Sequence, residues 1–83
     1  MSTPEGVSVH CFPSVDGDFR HETQRIVAES WVHIHAAERL IAEVQARLRE
    51  RYPLAVVRMR DEQAELGKPS IYTLYAFRDG RAA

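Results

Sequence analysis

Four histidines and a single cysteine are the residues of this 83-residue chain whose types lend themselves to chemistry. His33 and His35 form an H-x-H pair. On a strand both rings share a face and can chelate, whereas on a helix two residues at that spacing sit roughly 200° apart and cannot. His10 and His21 are the better candidates for a metal: in a hairpin pairing Phe12 with His21, they lie diagonally on one face. No third ligand stands nearby in the sequence, so satisfied or exposed imidazoles are expected instead, with no metal or other cofactor. Cys11 needs a neighbouring base and a lowered pKa to act as a nucleophile. His10 projects from the opposite side of the same strand, which favours a buried, inert thiol. The chain carries no glycine-rich phosphate loop, H-E-x-x-H or G-x-S-x-G, and no convergent polar cluster. An enzyme is therefore not expected.

These residues must be positioned by a core, and its main element is the stretch 31–52, WVHIHAAERLIAEVQARLRERY. Ile34, Ala37, Ile41, Val44 and Leu48 recur at alternating steps of three and four, drawing one apolar stripe along a helix. Ser30 stands before it as a candidate N-cap, Pro53 follows it, and Arg47, Arg49 and Arg51 load its last turns with cations. Trp31 reads as a core anchor rather than a ligand contact. Glu38, Glu43, Glu50 and the arginines read as a solvated face, with Glu43 and Arg47 as an i,i+4 pair.

Length and composition bound the rest. At 83 residues, 45% hydrophobic and 28% charged, the chain is expected to be one globular domain spanning 1–83, with 1–6 and 80–83 frayed. No apolar run approaches the ~20 residues of a membrane span, so no membrane partner is expected. The start lacks the pattern of a secretion signal, and a lone cysteine forms no internal disulfide; a cytoplasmic location is the expectation. The net charge of −1 hides an asymmetry: residues 1–46 hold three Lys/Arg against seven Asp/Glu, and residues 47–83 hold eight against five. A basic C-terminal half can meet a phosphate backbone, although helix-ending and strand-solvating arginines are the favoured account.

Around the helix, residues 7–12 alternate as a first strand. Asp16-Gly17 is a strong hairpin signal. Segment 19–29 is read as a second strand, or else as a backward extension of the helix. Residues 54–60 alternate as a third strand. The segment 61–69 is a connection, with Gly67-Lys68-Pro69 as turn chemistry and a helical turn possible at 64–66. Residues 70–77, SIYTLYAF, form the strongest strand. The expected fold is a two-layer α+β domain, β-β-α-β-β, with a four-stranded, mostly antiparallel sheet and one long helix over 31–52 on one face. The alternative is β-α-β-β with a single helix over 19–52.

If Val57 and Met59 face the helix with Tyr72, Leu74, Ala76, Val7, Val9, Cys11 and Ile26, period-two alternation assigns the other face. It would carry Phe12, Phe19, Arg25, Arg58, Arg60, Tyr75 and Phe77 as partner-binding residues, with His10, His21, Val27 and Ile71 beside them. Such a face is too apolar and aromatic to be left in water. The expected function is a small non-catalytic interaction or regulatory module, completed as a homodimer or docked on another protein. The alternative is a single-stranded nucleic-acid platform of stacked rings and arginines, although no RNP-like run is present.

Overall fold

The computed structural model describes residues 6–61 and 72–80. The element order is β1 (Val7–Phe12), α1 (Gly17–Trp31), α2 (Ala37–Arg49), β2 (Val56–Asp61) and β3 (Tyr72–Phe77). The three strands form one mixed sheet in the order β1-β3-β2, with β3 parallel to β1 and antiparallel to β2. Both helices contribute buried residues to the core on one face of this sheet. The α+β class and the one-sided helical layer match the sequence reading; among the described residues there are three strands, as in its β-α-β-β alternative and not the four of the expected fold, while the helix is broken in two and the pairing is mixed.

The first departure is at Asp16-Gly17, which caps a helix rather than turning a hairpin. The Asp16 carboxylate accepts a hydrogen bond from Phe19 N at 2.9 Å, satisfying one of the orphan donors of the first turn. Asp is as good at an N-cap as in a tight turn, and the residues that follow decide between the two. Phe19, Thr23, Ile26, Val27 and Ser30 are buried at helical spacing, so 19–29 is helix and not strand. Two hydroxyl residues within that stripe hide it from a hydrophobicity pattern. Thr23 fits because its hydroxyl donates to Phe19 O at 2.8 Å.

The second departure is the break at 32–36. Six-residue strands are only about 20 Å long, so a 22-residue helix of about 33 Å would leave part of its apolar stripe with nothing beneath it. The chain instead folds back. Leu40, Val44 and Leu48 bury the face of α2, while Arg47 pairs with Glu29 at 2.7 Å and Arg51 lies 4.0 Å from Glu22. Those two crossing pairs show the helices running antiparallel, 29 beside 47 and 22 beside 51. Ser30 is not the cap of the second helix; it is buried in the last turn of α1, and Ala36 precedes α2 without a side-chain cap.

α2 is then tied to the sheet. Arg49 Nε donates to Ala55 O at 2.8 Å, and Val57 N donates to Gln45 Oε1 at 3.0 Å. The core comprises Phe19, Ile26 and Val27 of α1, Leu40, Val44 and Leu48 of α2, and Val7, Cys11, Val57, Leu74 and Ala76 of the sheet. Val9, Met59 and Trp31 pack against it, with Trp31 edge-on to Tyr72 at 6.0 Å. The expected turn at Gly67-Lys68-Pro69, the helical turn at 64–66 and Ile71 lie outside the described residues.

Candidate interaction surface

The register fixes which side chains share the face turned away from the helices. Ser8, Thr73 and Arg60 form one row across the sheet, His10, Tyr75 and Arg58 the next, and Phe12, Phe77 and Val56 the third. Alternation along each strand puts all nine on the side opposite Val9, Leu74 and Met59. Rings therefore occupy β1 and β3, and the arginines stand along β2.

The rings form one continuous run. His10 lies 5.5 Å from Tyr75, Tyr75 6.5 Å from Phe12, and Phe12 5.1 Å from Phe77, between centroids, with interplanar angles of 20°, 20° and 13°. Four near-parallel rings of this kind are an offset stack. Phe12 is 43% exposed, and Tyr75 and Phe77 are half-buried by their neighbours. Arg58 and Arg60 are exposed. Among the described residues the face carries no carboxylate.

Five of the seven residues expected on this face are there: Phe12, Arg58, Arg60, Tyr75 and Phe77, with His10 beside them. Phe19 and Arg25 are not, because the segment that carries them is helical. Phe19 is fully buried in the core with its ring edge-on to Tyr52 at 5.0 Å, and Val27 is buried as well. Arg25 lies on the outer side of α1, where Nε donates to Glu22 and Nη1 to Glu29, both at 2.8 Å. Val56, Ser8 and Thr73 were not singled out in the sequence; alternation alone could have found them once β2 and β3 were aligned.

The histidines do not come together. His10 is on the open face and His21 on the exposed side of α1, so the hairpin that would have paired them does not form. His33 and His35 lie exposed in the α1–α2 connection, not on a helix, and the His35 ring rests 4.9 Å from Trp31. Among the described residues, no group of three or more His, Cys, Asp or Glu could hold a metal. Cys11 is buried on the core side, and desolvation pushes its thiol up despite the opposing effects of Thr23 and Arg20. The thiolate is disfavoured there.

An ion-pair cluster that the sequence gives no hint of joins the start of α1 to the end of β3. Arg78 Nη1 donates to Asp16 Oδ2 at 2.6 Å, and its Nε donates to Asp79 Oδ1 at 3.0 Å. The Phe19 N–H first, and then Arg78, hold the Asp16 carboxyl below the usual carboxylate range; Arg78 does the same for Asp79. Beside this cluster an open cleft of about 210 Å³ is lined by Arg51, Tyr52, Pro53, Leu54, Arg78 and Asp79. Arg78 is already committed to the two aspartates, and the cleft presents neither a nucleophile nor a base poised beside one.

No protein-family model, curated protein or solved structure matches this chain. No helix among the described residues is long and apolar enough to cross a membrane.

Proposed function

We propose that the chain is a small non-catalytic interaction or regulatory module, working through its open sheet face and completed there as a homodimer. The observation that carries this reading is the ring stack His10–Tyr75–Phe12–Phe77, held on the side of the sheet that neither helix covers. A contiguous apolar patch rimmed by cations marks a surface that is buried in use. Three six-residue strands offer a projected footprint on the order of 300 Å² per chain, the size of a weak, transient contact.

The test is the solution mass by light scattering, between about 10 and 500 μM, on protein cleared of nucleic acid. A mass rising toward two chains is expected, and Tyr75→Glu should return it to one while the helical circular dichroism persists. A wild-type monomer across that range, or an unchanged Tyr75→Glu dimer, would refute the reading.

Near-parallel rings with Arg58 and Arg60 on the adjoining strand also favour a second reading, a platform for single-stranded nucleic acid. Its affinity should fall steeply with salt and weaken in Arg58→Ala. Absence of binding at low ionic strength disposes of it.

A further inference from the structure

The two edges of the sheet are finished differently. Tyr72 N donates to Gly6 O and Arg78 N to Phe12 O, both at 2.9 Å, so residues 6, 8, 10 and 12 turn their backbone groups toward β3. Alternation leaves the N–H and C=O of Val7, Val9 and Cys11 pointing out of the sheet. On the opposite edge the outward groups of β2 and its approach meet α2: Val57 N donates to Gln45, and Ala55 O accepts from Arg49. No described residue does this for β1. Nor does β1 carry the charged side chains, proline or bulge that keep an edge strand unpaired; VSVHCF runs in unbroken register with β3.

We propose that the β1 edge is a docking site for an extended segment of another protein, which adds antiparallel to β1 and sets an acidic side chain against Arg20. The site is separate from the open face and does not depend on how that face is covered.

Steric and charge arguments select this occupant. α1 packs on β1 and α2 on β2, so each helix stands over an outer strand. A second copy joined edge to edge would bring its α1 one strand spacing, ~5 Å, from this one. Packed helices stand about 8–10 Å apart. A bare strand meets no such clash.

Glu22 and Glu29 mark the side of α1 that faces α2, through Arg51 and Arg47. Two residues along a helix sit roughly 200° apart, so Arg20 and Gln24 lie on the flank turned from α2, above the free edge. Arg20 is exposed and makes no ion pair among the described residues. Its charge reaches the Cys11 thiol, against the larger effect of desolvation. A residue added opposite Cys11 projects to the same side as Cys11, where a carboxylate complements Arg20. The neighbouring residue, opposite Phe12, projects to the open face beside a ring that is 43% exposed, where an aromatic side chain is complementary. Main-chain groups then supply the affinity and those two positions the selectivity.

The experiment uses the full chain and a blocked hexapeptide, Phe-Glu-Val-Thr-Val-Thr, whose first residue meets Phe12 and whose second meets Cys11. Amide hydrogen exchange followed by NMR reads the edge directly. In the free chain the amides of Val7, Val9 and Cys11 should exchange quickly and those of Ser8, His10 and Phe12 slowly; with peptide the first three should become protected. Val9→Pro removes an outward donor and no β1–β3 bond, so the chain should stay folded by circular dichroism and lose the peptide. Arg20→Glu should weaken the peptide about threefold or more, and should bind a Lys-for-Glu peptide better than wild type does.

Outward amides that are already slow in the free chain would mean that the chain fills its own edge, and would overturn the site. A peptide that does not bind, or protection without the odd–even pattern, overturns it equally. Protection that ignores the charge swap overturns the acidic partner.

Discussion

Phe19 and Ser30 occupy the same buried stripe of α1 and stand in opposite energetic positions. Phe19 is fully buried among apolar neighbours and against Tyr52, so Phe19→Ala removes a large side chain from a closed site. A loss of about 3–5 kcal/mol in urea unfolding is expected; a change under 1 kcal/mol would mean that the site collapses or is already wet. Ser30 is also buried, but among the described residues its hydroxyl has no hydrogen-bond partner. Ser30→Ala removes an unsatisfied polar group and improves helix propensity, so stability should hold or rise by about 1 kcal/mol. A clear destabilisation would show that the hydroxyl is bonded in solution. Cys11 gives a third reading at this scale. Its thiol is buried and biased toward the neutral form, so maleimide labelling should follow the rate of opening of the domain, not the intrinsic rate of a free thiol.

At the scale of elements, the start of α1 depends on one carboxylate with two duties, capping Phe19 N and pairing with Arg78. Asp16→Asn keeps a competent cap and removes the charge. Because the folded state holds this carboxyl below its ordinary value, the charge stabilises the fold above about pH 4 and ceases to do so as pH falls through the depressed folded value. The variant should therefore be less stable than wild type at pH 7, and the two melting curves should converge as pH falls below the ordinary carboxylate range; a gap independent of pH would assign the effect to the cap alone. Gly80 closes the far end of the same cluster at φ +78°, where an added Cβ would sit 2.8 Å from Leu54 O. Gly80→Ala should lower the melting temperature, since both the backbone conformation and the space oppose it.

The same elements show why the sequence was legible in some places and not in others. β1, β2 and β3 were readable because alternation and β-branched or aromatic residues agree along each of them, and that sufficed to place Phe12, Arg58, Arg60, Tyr75 and Phe77 on one face. Segment 19–29 was not, because Thr23 and Ser30 sit where a helical stripe is normally apolar, while Phe19, His21, Thr23 and Arg25 imitate an alternating strand. The break at 32–36 has no glycine or proline to announce it. It follows from the length of the strands beneath, a tertiary constraint, and the helix pattern continues across it in phase. The parallel pairing of β1 with β3 is likewise set by the helical hairpin and the antiparallel β2 that lie between them in the chain, not by anything local to either strand.

At the scale of the whole molecule, among the described residues, the helices bury one face of a three-stranded sheet and leave the other to its own ring stack. A domain of this size is only modestly stable alone, and the ring stack, with Phe12 43% exposed, holds apolar surface not yet removed from water. If a second copy covers it, folding and association are linked, and stability gains with concentration by mass action. Above the dissociation constant, a hundredfold rise in protein contributes about 1.4 kcal/mol per chain, which for about 80 residues shifts the melting temperature by roughly 5 °C or more. Scanning calorimetry from 5 to 500 μM, an about hundredfold span, should show in wild type the part of that rise that falls above the dissociation constant. Tyr75→Glu places a charge at the centre of the face, so its melting temperature should stay flat over the same range. A wild-type melting temperature that is equally flat would mean that the sheet face is not closed by a second copy, and that its rings are kept in water for a different occupant.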